Sequence, residues 1–240
     1  MERKVINFTI QEAGCLLYAA DKNLADLPWC ELTDFFGGRE GLRELALKGA
    51  IMATELYQDD GYNVRVVFGD LTEDEEREWT ARAAWKLNLE SGEMAVSGVC
   101  DEDMEDYLED FPIATDGGNY QMGCFVQVPV GVYAVNIYSY PPGDLSGGWM
   151  RIESAREFRL CFGKDSDIKH EKPLEYFTRT RPGEEPPAWI KDNYENAEFL
   201  NFLIQLTPLS NELKTPEFES DGSISWEYRK PEICPVGIRI

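Results

Sequence analysis

The side chains best equipped for chemistry in this 240-residue chain are few, and their spacing suits no common site. One histidine, His170, stands in Asp165-Ser166-Asp167-Ile168-Lys169-His170-Glu171. A lone imidazole excludes the two-histidine zinc motifs. It could serve a Ser-His-Asp or Cys-His system. The nucleophile-elbow pattern G-x-S-x-G is missing, however, because Gly143-Asp144-Leu145-Ser146-Gly147 has one residue too many before the serine. The polar neighbours of His170 predict a surface residue rather than a base. Six cysteines fall at 15, 30, 100, 124, 161 and 234, with no CxxC. Zinc fingers and thioredoxin-like centres need paired short spacings, so these read as reduced, mostly buried thiols. Neither GxxxxGK[ST] nor a strand-linked GxGxxG occurs. No catalytic residue, metal ligand or cofactor is therefore nominated.

Carboxylates are the abundant functional group. The formal charge is −22, from 45 acids and 23 bases, and the pI is near 4.4. Binding to phosphates or to anionic membranes requires basic groups, so nucleic acid and membrane surfaces are not expected partners. No run of 18 apolar residues is present to span a bilayer. The acids are concentrated: residues 70–110 hold fifteen of them against Arg77, Arg82 and Lys86, which is −12 of the −22. The densest part is Asp101, Glu102, Asp103, Glu105, Asp106, Glu109 and Asp110. As an EF-hand this run fails, since its sixth and twelfth places hold Asp106 and Pro112 instead of Gly and Glu. A looser oxygen site for a divalent cation and a plainly solvated loop both remain open. So does a surface that attracts a basic protein, as acidic inhibitors and immunity proteins do.

Tryptophans supply the other candidate contacts. Trp79, Trp85 and Trp226 lie in strand patterns and read as core. Trp149 and Trp189 follow Gly- and Pro-rich stretches and are candidate anchors at an interface. Together with nearby carboxylates they would also suit a sugar groove. Glycosidases use two carboxylates, but 45 acids single out no pair.

The elements that would carry these groups are mainly strands. From Trp79 to Leu89 every odd residue is apolar, which predicts a half-buried strand. Glu90-Ser91-Gly92-Glu93 then reads as a hairpin turn into Met94–Cys100. Tyr120–Val128, a turn at Pro129-Val130-Gly131 and Tyr133–Ile137 read as a second hairpin. Further strands are expected at Val5–Ile10, Val64–Phe68, Glu157–Phe162, Glu198–Thr207, Ser223–Tyr228 and Val236–Ile240. Gly41–Tyr57 has helical spacing at Leu42, Leu45, Gly49, Met52 and Leu56, yet Asp59-Asp60-Gly61 signals a hairpin that would make it a strand. Thr72-x-x-Glu75 is a capping box, and Met104, Tyr107, Leu108 and Phe111 would share one face of a short helix. Long loops cover Asp21–Gly38, Asp101–Gly118, Pro141–Trp149 and Lys164–Asn193, the stretch from Asp165 to Pro187 being the least periodic.

Val126-Gln127-Val128-Pro129-Val130-Gly131-Val132-Tyr133-Ala134-Val135 has the form V-x-V-P-x-G-x-Y-x-V, and Phe202-Leu203-Ile204-Gln205-Leu206-Thr207-Pro208 follows it. The pair resembles strand motifs of uncharacterised bacterial proteins that are small and mostly β. The match spans 17 of 240 residues. What the resemblance implies is a bacterial, β-rich protein, with no role for any residue.

The expected fold is mainly β: an antiparallel β-sandwich, or a barrel-like sheet, with long loops and one or two short helices. It forms a single domain over 1–240, or two packed halves, about 1–70 and 71–240, without a linker. The N-terminus lacks an apolar signal region, which predicts a cytoplasmic protein and makes the Asn7-Phe8-Thr9 sequon incidental. The expected function is a non-enzymatic acidic interaction protein of inhibitor or immunity type, binding a basic partner through the 101–110 carboxylates, Trp149 and Trp189. The alternatives are a carbohydrate-binding or carbohydrate-processing sandwich and a hydrolase using His170.

Overall fold

The computed structural model describes residues 2–13, 16–26, 39–56, 60–99, 111–142, 173–191 and 198–240. Eleven strands and three α-helices occur among them. The strands are β1 (Lys4–Ala13), β2 (Leu16–Asp21), β3 (Ile51–Glu55), β4 (Asp60–Phe68), β5 (Ala81–Leu89), β6 (Glu93–Val99), β7 (Gly118–Tyr120), β8 (Gly123–Gln127), β9 (Gly131–Ser139), β10 (Phe202–Pro208) and β11 (Glu227–Tyr228). The helices are α1 (Arg39–Lys48), α2 (Glu73–Glu78) and α3 (Pro173–Thr180). A seven-stranded sheet has the order β11-β5-β9-β10-β4-β1-β7, and a four-stranded sheet the order β3-β2-β6-β8. Both sheets are open, so neither closes into a barrel. The smaller is antiparallel. The larger is mixed, because β10 pairs with β4, and β1 with β7, in parallel. That corrects the all-antiparallel expectation.

The main core draws on both sheets. Ala81, Ala83, Trp85, Leu87 and Leu89 of β5 are buried in one cluster with Leu17, Ala19, Met94, Val96, Cys124 and Val126 of the smaller sheet. Period-two burial along β5 is complete, as its alternation requires. Trp79 is out of phase. It ends α2 and packs on the opposite face of the larger sheet with Tyr138, Tyr140, Leu200 and Leu203.

Neither expected hairpin forms. β5 and β6 lie in different sheets, as do β8 and β9, so each turn is an arch from one sheet to the other. The first arch is held by Asp21 at the end of β2. Its Oδ2 accepts from the Glu90 amide (2.7 Å), the Ser91 amide (3.0 Å) and the Ser91 hydroxyl (2.9 Å), while Oδ1 accepts from the Asn23 amide (2.9 Å). Gly92 turns the chain at φ +78°, and its carbonyl accepts the Val128 amide (2.9 Å), which stacks the second arch on the first. The Asp60-Gly61 signal also marks a crossing, since β3 and β4 belong to different sheets.

The ambiguous Gly41–Tyr57 region contains both structures. Helix α1 buries Leu42, Leu45 and Ala46 on the outer face of the smaller sheet, and β3 follows. Gly49 separates them at φ +76°, with its amide on the Ala46 carbonyl (2.8 Å) and the Ala50 amide on Leu45 (3.0 Å). Those two bonds form a Schellman cap, which stops the helix and frees the chain for β3.

Elsewhere the expected strands shorten. Of Ser223–Tyr228 only Glu227–Tyr228 is strand, and Val236–Ile240 contributes one bridge, between Arg239 and Phe199. The weakly periodic Asp165–Pro187 stretch includes α3, whose Tyr176 and Phe177 pack with Trp189, Ile190, Phe199 and Cys234. The smaller sheet's edges are covered: Pro112 and Ala114 bond to Phe125 of β8, and the Ile224 amide to Ala53 of β3. Glu157–Phe162 lies outside the described residues.

Replacing Asp21 with alanine leaves the Glu90 and Ser91 amides at the arch without their acceptor and should lower stability by about 2–3 kcal/mol. Asp21→Asn keeps one acceptor oxygen and should lose less. Urea unfolding followed by tryptophan fluorescence measures both; an alanine variant as stable as the parent would refute the clamp.

Candidate functional site

The most concentrated polar chemistry among the described residues surrounds α2. Thr72 caps this helix: its hydroxyl accepts the Glu75 amide (3.2 Å), and its own amide donates to Glu75 Oε2 (2.8 Å), as the capping box requires. The Glu75 side chain is thereby turned inward and buried. Arg3 reaches both of its oxygens (2.7 and 2.8 Å) and Arg65 of β4 reaches Oε1 (3.0 Å). Glu78, one turn on, is also buried. Its Oε1 accepts from Arg77 (3.0 Å), with Arg181 at 4.0 Å, and its Oε2 accepts the Val236 amide (3.2 Å). Arg229 closes the end of the helix, donating to the Trp79 carbonyl (2.9 Å) and the Arg77 carbonyl (3.1 Å) while its guanidinium stacks 3.4 Å over the Trp79 ring.

The two glutamates titrate in opposite directions. Burial alone would raise the Glu75 pKa, but the Thr72 amide and the Arg3 and Arg65 guanidiniums outweigh it and hold the pKa below its ordinary value. For Glu78 burial wins and the pKa is raised; Arg77, the Val236 amide and the more distant Arg181 offset it only in part. Carboxylates with pKa values driven apart are the pattern of an acid–base pair. Here all four oxygens face donors of the protein itself. The cluster therefore joins the N-terminal segment, β4, α2 and the segment at 229–236, and it leaves no oxygen turned toward a substrate.

Asp101, Glu102, Asp103, Glu105, Asp106, Glu109, Asp110, Trp149 and His170 lie outside the described residues. Trp189 does not serve as an exposed anchor. It is 4% exposed, and its indole nitrogen donates to the Val236 carbonyl (2.9 Å), because the turn at Ala188–Ile190 folds it under α3. A sugar groove built on Trp189 is thereby excluded. Trp85 and Trp79 are core, and Trp226 is half-buried on Phe202, with its nitrogen on the Glu55 carbonyl (2.8 Å). Cys124 and Cys234 are buried, and burial pushes the Cys124 thiol up to about 12, so it stays protonated and unreactive.

Several surface acids crowd one another. Glu55, at the end of β3, has its pKa raised by partial burial and then by the charges of Asp221 and Glu219. Asp70, Glu73, Asp74, Glu76 and Glu90 are exposed. Thus two of the acids in the 70–110 concentration, Glu75 and Glu78, are internal ties, and the capping box was the only sequence signal of that for either. Among the described residues no group of three His, Cys, Asp or Glu is arranged to hold a metal ion, and no helix is long and apolar enough to cross a membrane.

No protein-family model matches the chain, and no curated protein matches it. Two solved structures are similar at low scores. One is described as "Crocagin biosynthetic gene J", at a TM-score of 0.41 and 12% identity over 87% of this chain and 99% of that one. The other is ComJ from Bacillus subtilis, described as an inhibitor of the DNA-degrading activity of NucA, at a TM-score of 0.39 and 8% identity over 87% of this chain and 100% of that one. At such scores neither likeness assigns an activity or a partner to this chain.

Glu75→Gln and Glu78→Gln should separate in a pH series. A lowered folded pKa means that Glu75 stabilises above the ordinary glutamate value of 4.5 and loses that contribution as the pH falls through the folded value. Its glutamine variant should lose about 2–3 kcal/mol near neutral pH, less than a fully buried broken pair because Arg3 can be rehydrated. The deficit should shrink in acid. Glu78 has the opposite sign: its contribution is fully present below 4.5 and is lost as the pH rises through the raised value. Glu78→Gln should cost least near neutral pH. Thermal denaturation between pH 3 and 8 reads both trends, and parallel curves for the two variants would contradict the opposed shifts.

Proposed function

We propose that this chain is a non-enzymatic acidic protein of inhibitor or immunity type, a cytoplasmic single domain on a β-sandwich scaffold, that binds a basic protein partner through surface carboxylates. One observation carries the reading. Arg3 and Arg65 are committed to the buried Glu75, and Arg77 and Arg181 divide between the buried Glu78 and the exposed Asp74 and Glu184, while Asp70, Glu73, Glu76 and Glu90 also face solvent in a chain of net charge −22. Such a surface raises the encounter rate of a basic protein and repels acidic ones. Asp101, Glu102, Asp103, Glu105, Asp106, Glu109 and Asp110 form the proposed contact set, by their density in the sequence. Carboxylates there would stand where the phosphates of a nucleic acid would otherwise bind the partner.

Immobilised protein should retain a single basic protein, near stoichiometric, from lysate of its own organism at low salt and release it at high salt. Mass spectrometry identifies what is retained. Replacing the seven acids with Asn and Gln should then weaken binding of that protein and flatten its salt dependence. Retention unaffected by the replacements would exclude this contact set, and an empty column at both salts would count against a protein partner altogether.

A further inference from the structure

The stacked arches end in an apolar surface that the acidic reading leaves unused. Val130 is 69% exposed, the most exposed of the large hydrophobic residues described, and Val132 is 45% exposed. Val130 borders the first arch, and Val132 follows it by two residues near the start of β9. A side chain added at Gly92 would lie 3.7 Å from the Val130 methyl, and Val132 pairs with Asn88 at the end of β5. Beside them the Leu209 amide donates to the Val132 carbonyl (2.9 Å).

Other groups already form the turn. The Tyr133 hydroxyl donates to the Pro129 carbonyl (2.7 Å), and the Val128 amide is on Gly92. The arch thus needs no aliphatic side chain at 130, and a hydrated valine there contributes nothing to the core. Glu90 is held at the same end by Asn88, whose amide donates to its Oε1 (2.7 Å); of the nearby cations Lys22 is matched by Glu93 (2.5 Å), and Lys86 lies on the same face of β5 as Asn88.

We propose that this arch end is a docking surface for an aliphatic side chain that a basic protein presents between lysines or arginines. Charge decides the occupant. A second copy would bring −22 against −22, and an anionic membrane is repelled in the same way. A basic chain is attracted by the overall field, and its aliphatic residue covers Val130 and Val132. The proposal rests on the acidic-partner reading and adds to it the place of the apolar contact.

Two labelled peptides of lysine and arginine, differing only in a central leucine or serine, test it by fluorescence anisotropy at low and high salt. The parent protein should bind the leucine peptide about tenfold more tightly, as burial of one aliphatic side chain allows. Val130→Ser with Val132→Ser should abolish that preference, leave the salt-dependent binding of the serine peptide unchanged and keep the far-ultraviolet circular dichroism of the parent. Val130→Thr, which preserves shape, should lose part of the preference. Equal binding of both peptides by the parent overturns the docking surface while the acidic-partner reading stands. A preference that survives in the double variant overturns it as well. Failure of both peptides to bind at low salt removes the acidic reading and this surface with it.

Discussion

Twenty-three basic side chains must serve forty-five acidic ones, and a buried carboxylate has first claim on them. An unpaired charge in the interior costs several kcal/mol, whereas one at the surface is solvated. The chain meets this constraint around one short helix. Glu75 takes two guanidiniums and an amide; Glu78 takes one close guanidinium, a distant one and an amide. The arginines that satisfy these groups come from the N-terminal segment, β4, α2 and the chain after α3, so charge neutralisation and tertiary connection are the same set of bonds. Some solvent-facing acids, such as Asp74, Glu184, Glu185 and Glu227, keep a cation beside them, and water solvates the excess of carboxylates that the 23 bases cannot match.

The other organising device is the crossing between sheets. Strand β5 runs from the charged cluster at its start to the first arch at its end, about 30 Å away at the usual rise of a strand. The start of β5 is therefore fixed beside the ion pairs of α2 and its end by Asp21 and the Gly92–Val128 bond. Between them lies the shared apolar core. Carboxylates do the positioning at both ends, in one case through guanidiniums and in the other through backbone amides.

Much of this was legible in residue patterns. Alternation located β5, β8 and β9, and the capping box located α2, because side-chain period and cap chemistry are local properties. Pairing was not legible. A strand with one apolar face buries that face equally well beyond a hairpin or beyond an arch, and neither turn contains the Asn-Gly or Asp-Gly signal that forces a hairpin. What separates the two here is Asp21, some 70 positions earlier in the chain. The parallel partner of β4 is likewise remote in sequence. Trp189 misled for a related reason: Pro- and Gly-rich flanks indicate a loop, but only the packing of α3 shows that the loop folds inward. Carboxylate density said nothing of which acids are internal, since Glu75 and Glu78 differ from Glu73 and Glu76 only in their position around one helical turn.

The position of β10 has a consequence for the birth of the protein. This strand is the middle member of the larger sheet, joining β9 on one side to β4 on the other, yet it occupies residues 202–208. During synthesis the β5–β9 pair and the β4–β1 pair exist as separate halves, each with an unfilled edge, until most of the chain has left the ribosome. Contacts so distant in sequence close slowly. Open edges in the interval invite pairing with other chains, and a strong net negative charge keeps such nascent chains apart while they wait for the strand that unites them.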